Sequence, residues 1–555
     1  MPESFNVADY LRRHAVERPE APALRFPSAR YTTARPQWDT WTFAELDHAS
    51  DAFARGLHAQ GVRRGDRTLM LVKPSLDFYA VLFGLFKVGA IPVLLDPGMG
   101  MSPLLACIER TRPRVVVAMS LVHAVRMFRR RPFQSAEICI TVGRRWFWGG
   151  ATLEQCRLEG DAPFEIARMG PADDAAILFT SGSTGTAKGV ASKHGMFRGQ
   201  VESLRELLHL KAGSTDVQAF AAFAIFDVCM GITSVIPHMD LSKPATAEPA
   251  DIIAALETYH PEVAFASPIV WQNLSRHCVA HQVSLPSLRT AITVGAPIPA
   301  YLHRRFQTLL DPSAQIWTPY GATEGLPVSC IATNEILDHT WARTSAGEGT
   351  CVGHPAPGIE IAIIGVTEEA IPHWSETLVL PQGDIGEIVI SGRQVSPEYK
   401  DAPEANAKAK IGHGEGFWHR MGDLGYLDEG GRLWFCGRKA HRLETSAGML
   451  PAVPVEGVFN EHPDVFRTAL VGVGSVGQQI PVLCVEMEPG KSWSPEVETE
   501  LRDLAAKTRH AAVVRRFIHH PAFPTDARHN SKIRRGDLRQ WAASRCRDLI
   551  EEEAP

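Results

Sequence analysis

None of the ten cysteines stands at C-x-x-C spacing from another, which excludes the usual zinc ribbon and dithiol redox motifs. Without a visible disulfide framework, reduced thiols in the cytoplasm are the simplest expectation. Neither charge sign dominates: 57 basic against 62 acidic residues leave a formal net charge of -5, so the basic excess of a nucleic-acid binder is missing. Long apolar runs are equally scarce. The most apolar stretch, Phe78 to Leu95, contains Lys87 and Pro92 and falls short of the roughly 18 to 20 clean residues of a membrane span. It reads as a buried helix followed by a buried strand. Met1-Pro-Glu-Ser-Phe5 lacks the basic-then-apolar build of a signal peptide. The expectation is a soluble, cytoplasmic protein. No internal repeat is found, and the only low-complexity segment is the acidic tail Glu551-Glu-Glu-Ala-Pro555.

What is present is an α/β rhythm on a chain of 555 residues, too long for a single core. Arg67-Thr-Leu-Met-Leu-Val72 predicts a strand, Leu76 to Lys87 a helix and Ile91-Pro-Val-Leu-Leu95 the next strand. The pattern returns at Arg114–Ala118, Val263–Ala266 and Thr290–Val294. Gly425 to Phe435 predicts two strands joined by a tight Asp-Glu-Gly-Gly turn. A domain boundary is placed at Gly437-Arg438-Lys439, with a small α+β domain after it.

The sharpest chemical signal is the strand-like Ala175-Ala-Ile-Leu-Phe179 running into Thr180-Ser-Gly-Ser-Thr-Gly-Thr-Ala-Lys-Gly189. Glycines let a backbone curl until its N–H groups converge on an anion, and hydroxyls add donors. A lysine supplies a point charge for phosphate. A Walker A loop requires G-x-x-x-x-G-K-[ST]; here Ala187 precedes Lys188 and Gly189 follows it, so that reading fails.

At every fixed position these ten residues resemble the phosphate loop of the ANL superfamily, which comprises acyl-CoA synthetases, nonribosomal peptide adenylation domains and luciferases. The resemblance covers nearly the whole chain, from about Tyr10 to about Leu538. It implies an α/β enzyme with a large multi-subdomain adenylate-forming domain over residues 1–437, a hinge at 438–439 (Lys439) and a small mobile α+β lid over 440–555. It also implies ATP and Mg²⁺. Nucleotide contacts are carried onto Thr180, Ser181, Gly182, Ser183, Thr184, Gly185 and Lys188. The segments Gly295-Ala296-Pro297 and Tyr320-Gly321-Ala-Thr323-Glu324 are assigned in the same way, with Tyr320 against adenine, Thr323 on phosphate and Glu324 on magnesium beside Thr184. A hard carboxylate oxygen beside a triphosphate is a natural magnesium ligand. Met421-Gly-Asp-Leu-Gly425 resembles the family's Thr-Gly-Asp-Leu-Gly, which gives Asp423 the ribose hydroxyls, and Arg438 reaches the ribose or phosphates. The final family motif is matched least well: Ser531 stands where glycine is usual, yet Lys532-Ile-Arg-Arg535 survives. Lys532 is therefore assigned as the catalytic lysine, alongside Lys188, Thr323 and Glu324. Removing one such electrostatic contact typically costs about 10²–10³ in rate.

Family motifs leave the product open. Many acyl-CoA synthetases carry Pro-x-x-His where this chain has Phe226-Asp227. With Phe265-Ala-Ser267-Pro268 and Arg528-His-Asn-Ser-Lys532, the sequence is similar to one branch, the β-lactone synthetases of bacterial long-chain olefin biosynthesis. That resemblance implies a long-chain 2-alkyl-3-hydroxy (β-hydroxy) fatty acid as substrate. Its pathway neighbours would be a thiolase-like condensing enzyme, a ketone reductase and a β-lactone decarboxylase. Phe220, Phe223, Phe226, Phe265 and Ser267 are placed at an acyl pocket or in plain core. His194 and Asp227 are weighed as bases for the 3-hydroxyl or as structural groups. The competing reading is a long-chain acyl-CoA or acyl-AMP ligase; a non-catalytic nucleotide-binding scaffold is the remote one. Two further segments, Arg126-Met-Phe-Arg-Arg-Arg-Pro-Phe133 and Arg144-Arg-Trp-Phe-Trp148, mix cations and aromatics. They read as a solvated helix end or as a docking patch for a lipid surface or partner enzyme.

Overall fold

The structure, a computed structural model, describes residues 4–180, 187–525 and 533–548. It is a mixed α/β protein whose large N-terminal part holds two sheets and whose C-terminal part holds a small sheet of its own. In the seven-stranded sheet the strands run in the order Ala151–Thr152, Ile138–Val142, Val115–Met119, Arg67–Leu71, Ile91–Leu94, Asp174–Thr180, Lys188–Lys193. All neighbours are parallel except the last pair, in which Thr180 lies opposite Lys188 and Phe179 opposite Gly189. A Cβ on Gly189 would come within 2.9 Å of the Phe179 ring, so only glycine lets the two strands close directly after the phosphate loop.

The apolar stretch resolves as the helix Leu76–Val88 and the strand Ile91–Leu94. Ser75 accepts a hydrogen bond from the Phe78 N–H at 3.2 Å at the helix start, and Gly89 (φ 77°) ends it in the left-handed region. Lys87 is fully buried in this helix, with its ammonium 2.6 Å from both Asp47 and Asp51. Arg12 braces the same carboxylates at 2.7 and 2.6 Å. Burial disfavours the charged lysine and the two carboxylates favour it, with a net downward pull on its pKa. Among the described residues no helix is long and apolar enough to cross a membrane.

The second sheet places Thr215–Gln218, Val263–Ala266, Thr290–Thr293 and Gln315–Ala322 side by side in parallel. Gly325–Ala332 returns antiparallel to the last of them. The expected hairpin is the pair Gly416–Leu427 and Leu433–Arg438, with Leu427 opposite Leu433. Its first strand begins nine residues earlier than the tight turn alone would suggest, because Gly416–Leu427 also pairs with Gly386–Gly392 and Lys410–His413.

In the C-terminal part, Val465–Val473, Ile480–Met487 and Arg516–His519 form a three-stranded sheet. Side chains alternate across it as a pleat requires. Ala469, Val471 and Val482 pack with Leu538 and Ala542 of the helix Arg535–Arg545, whereas Leu470 and Leu483 pack with Val455 and Leu501 of the helices Ala452–Phe459 and Pro495–Ala506.

Candidate functional site

The strands that carry the sequence motifs end near one another. Asp423 and Arg438 are directly opposed residues of the hairpin, so a legible turn places them together. Their side chains approach at 2.9 Å, and the Tyr320 hydroxyl donates to Asp423 Oδ2 at 2.6 Å. Asp423 is 2 % exposed, and its Oδ1 is the atom that stands 2.9 Å from Arg438 Nη1. Burial pushes the Asp423 carboxyl up, with Arg438 and Tyr320 opposing, and Asp423 raises Arg438 in turn. A carboxylate has about four acceptor sites, so one held by Tyr320 and Arg438 keeps capacity for a sugar hydroxyl.

Glu324 lies in the turn between Gln315–Ala322 and Gly325–Ala332. Its backbone carbonyl accepts from Ser396 N at 2.7 Å, and its Oε1 accepts from the Tyr399 hydroxyl at 2.8 Å. Gly321 is required beside it, since a Cβ there would stand 2.7 Å from the Gly325 carbonyl. The Lys188 ammonium sits 4.7 Å from the centre of the Tyr399 ring, so Tyr399 lies between the lysine after the phosphate loop and the acid expected to hold magnesium. A cation over an aromatic face gains about 0.5–2 kcal/mol.

Tyr399 and its neighbour Lys410 are missed by sequence reasoning. Lys410 donates to the Ser396 carbonyl and lies 5.7 Å from the Tyr399 ring. Burial lowers its pKa to about 7, against the pull of Glu324 and Glu398. No local pattern marks either residue. Tyr399 reaches the site through a bridge to Val190 and through Lys400 N donating to the Gly189 carbonyl at 2.8 Å. Lys193 and Lys400, both paired with Asp174 and Glu398, fasten the same contact.

Among the described residues no group of three or more His, Cys, Asp and Glu could enclose a metal. Magnesium suits the site nonetheless, because it binds through one or two carboxylates plus substrate phosphates, and one carboxylate, Glu324, is present. Ser181, Gly182, Ser183, Thr184, Gly185 and Lys532 lie outside the described residues. Thr323 is half-buried beside Glu324. Gly295 (φ 101°), followed by Ala296 and Pro297, turns the chain after the strand Thr290–Thr293.

The aromatic residues form one cluster. Phe223 stacks on Phe265 at 4.7 Å and Phe226 on Phe197 at 4.7 Å, while Phe220 meets Phe223 and Phe265 edge-on at 5.9 and 5.8 Å. Phe265 is buried and the other three of the 220–226 segment are half-buried, an apolar wall with one exposed side. Ser267, 1 % exposed, caps this region with a hydroxyl that has no partner among the described residues.

Beneath the wall lies an unforeseen carboxyl pair. Asp227 accepts from Ser234 Oγ at 2.8 Å and from Gln218 Nε2 at 3.4 Å, and the same amide reaches Asp216 at 3.3 Å. Burial and the facing Asp227 push Asp216 far up; burial raises Asp227 to about 6. Burial therefore favours the protonated form of each carboxyl. Asp227 is thus committed to Ser234, Gln218 and Asp216. His194 is engaged differently: its Nδ1 accepts from Val7 N at 3.2 Å, and burial lowers it to about 4. It fastens the N-terminal segment to the helix His194–Leu207. Lys439 ion-pairs with buried Glu387 at 3.1 Å, and Arg420 meets the same carboxylate at 2.6 Å.

The family model for AMP-binding enzymes matches residues 11–400. An olefin β-lactone synthetase of Xanthomonas campestris pv. campestris is 45% identical over 97% of both chains. Another, from Stenotrophomonas maltophilia, is 42% identical over 97% of this chain and 98% of its own. Among solved structures, the amide bond synthetase of Marinactinospora thermotolerans superposes with a TM-score of 0.79 at 21% identity, covering 97% of this chain and 99% of that one. The O-succinylbenzoate coenzyme A synthetase of Bacillus subtilis, solved with ATP and magnesium, gives 0.73 at 21% identity over 95% and 98%. The phosphate-loop hairpin, the Asp423–Arg438 pair and these full-length similarities agree: the chain belongs to the AMP-binding enzyme family, the adenylate-forming ANL enzymes.

Proposed function

We propose that the protein adenylates a long-chain 2-alkyl-3-hydroxy acid and closes it to a β-lactone, with AMP and pyrophosphate as co-products. The observation that carries this reading is the 45% identity, over nearly the full length of both chains, with an olefin β-lactone synthetase. Residues 1–437 form the adenylate-forming domain in this reading, Arg438-Lys439 the hinge and residues 440–555 the lid.

Each group has a task that its surroundings suit. Asp423, aligned by Tyr320 and Arg438, accepts from the ribose hydroxyls through its remaining lone pairs. Thr323 and Lys188 hold phosphate oxygens together with the loop Thr180–Gly189. Glu324, with the substrate phosphates, would hold magnesium, which when bound would supply neutralisation of the charge on the departing pyrophosphate. Lys532 is assigned the electrostatic work between substrate carboxylate and α-phosphate. In the first step a carboxylate oxygen attacks the α-phosphorus and the bond to pyrophosphate breaks. In the second the 3-hydroxyl oxygen attacks the acyl carbon, its proton is lost, and the bond to AMP breaks.

The second step needs orientation more than a second substrate. A well-held internal nucleophile reaches effective molarities of about 10⁵–10⁸ M. The wall of Phe220, Phe223, Phe226 and Phe265 suits an alkyl chain and keeps water from the adenylate. Asp227 and His194, occupied as described, are assigned structural roles rather than that of base. Comparison of a 2-alkyl-3-hydroxy acid with its 3-deoxy analogue tests the reading. Both acids should release pyrophosphate, and only the hydroxy acid should turn over to free AMP. Equal turnover of the two would point to hydrolysis or another acceptor.

A further inference from the structure

We propose that the face built from the helix Ser120–Phe128 and the loop 143–148 docks the enzyme reversibly on an anionic phospholipid surface. Four large apolar side chains stand out there: Phe128 is 81 % exposed, Phe147 69 %, Leu121 68 % and Trp146 51 %. Isolated exposed apolar residues are ordinary, but a cluster of large ones ringed by polar groups marks an interaction site.

The loop is held in place rather than loose. Trp148 is 4 % exposed, its indole N–H donates to Thr141 Oγ1 at 2.9 Å, and its ring stacks on His123 at 5.8 Å. Trp146 and Phe147 each touch the Trp148 ring at 5.3 Å. Ser120 Oγ donates to the Arg144 carbonyl and fastens the loop to the start of the helix. The anchor turns inward while its two neighbours face outward.

Charge decides the occupant. Arg129, Arg130 and Arg131 directly follow Phe128, Arg144 and Arg145 directly precede Trp146, and all five are exposed. Arg131 pairs with Glu109 at 2.7 Å, and nearby Glu137 is taken by Arg114 at 2.7 Å. Among the described residues the Arg145 guanidinium donates only to the Gly150 carbonyl. Arg129, Arg130 and Arg144 have no carboxylate within ion-pair distance among the described residues. Aromatic side chains that enter the headgroup boundary, surrounded by arginines for lipid phosphates, are the pattern of an interfacial anchor.

The position of the face gives docking a use. It follows the carboxyl ends of Val115–Met119 and Ile138–Val142, and the phosphate loop follows the carboxyl end of Asp174–Thr180 in the same parallel sheet. Four strand spacings separate Ile138–Val142 from Asp174–Thr180, or about 19 Å at ~4.8 Å per spacing. A bilayer engaged by this face would border the sheet edge on which the nucleotide site opens, where a sparingly soluble acid would be presented. Binding rests on the patch alone and stands whichever product the enzyme makes.

The experiment is co-sedimentation of the full chain with vesicles of phosphatidylglycerol in phosphatidylcholine and with pure phosphatidylcholine vesicles, at physiological salt. Wild type should partition strongly to the anionic vesicles alone. Arg129→Gln/Arg130→Gln/Arg144→Gln should weaken that partition about 100-fold, from about fivefold per arginine. Phe128→Ser/Phe147→Ser should weaken it about tenfold or more at unchanged salt dependence. Pyrophosphate release with a short soluble acid should be unchanged in both variants, which also reports their folding. Equal partition of wild type to both vesicle types would overturn the proposal, as would no partition at all, the result expected if a partner protein covers this face. Apolar variants that bind like wild type would also overturn it.

Discussion

Tyr399→Phe isolates the contact that joins the phosphate-loop lysine to the acid expected to hold magnesium. The substitution keeps the ring beneath the Lys188 ammonium, 4.7 Å away, and removes only the hydroxyl that donates to Glu324 at 2.8 Å. A hydrogen bond to a charged acceptor contributes about 1.5–3 kcal/mol. Glu324 is half-buried, so water replaces part of that loss and about 1–2 kcal/mol remains. The loss falls on the orientation of Glu324, and therefore on magnesium use more than on acid binding. The magnesium concentration that half-activates pyrophosphate release should rise about five- to thirty-fold, at about tenfold per 1.4 kcal/mol. The rate at saturating magnesium should change far less. The assay is pyrophosphate release across a magnesium titration, with thermal melting as a control for folding. A folded variant with an unshifted magnesium midpoint would refute the reasoning and detach Tyr399 from the site.

Lys439→Pro stiffens the assigned hinge and removes the ion pair with Glu387, which Arg420 still neutralises; since an internal hydroxyl needs no incoming thiol, lactone formation should persist within about tenfold, or about 1.4 kcal/mol of barrier. Adenylate that accumulates with no turnover would contradict this. The carboxyl pair makes a stability prediction. Asp227 is raised from 3.8 to about 6, so the folded state binds the proton more tightly than the unfolded state, and the associated stability is present below pH 3.8 and lost as pH rises through about 6. Asp227→Asn cannot ionise and should gain on wild type over that window by about 3 kcal/mol at most. Urea midpoints that shift in parallel for both proteins between pH 4 and 7 would show that the Asp227 carboxyl is not raised.

The parts that sequence reveals are those whose partners are local or fixed by a turn. The strand expected over Ala175–Phe179 forms and pairs with the strand from Lys188 directly after the ten-residue motif, and Asp423 meets Arg438 because the Asp-Glu-Gly-Gly turn sets the hairpin register. Val263–Ala266 is a strand at the expected bounds. The strand expected from Arg114 starts instead at Val115 and extends to Met119, since Arg114 turns its side chain to Asp66 and Glu137. Distant partners leave no such trace. Tyr399 meets Glu324 from 75 positions away, and Lys87 finds Asp47 and Asp51 from 40 and 36. Asp216 reads as an ordinary polar residue at a strand start until the fold buries it against Asp227. His194 is the converse case: a histidine close after the phosphate loop invites a catalytic reading, and its bond to Val7 N is visible only once the N-terminal segment is packed.

The central claim is the fate of the adenylate, and product analysis meets it most directly. The protein is incubated with ATP, Mg²⁺ and a long-chain 2-alkyl-3-hydroxy acid, with and without coenzyme A. The account predicts a β-lactone and AMP in equal amounts whether or not coenzyme A is present. A thioester that forms only when coenzyme A is added, with no lactone in either reaction, would contradict it and leave an acyl-CoA ligase.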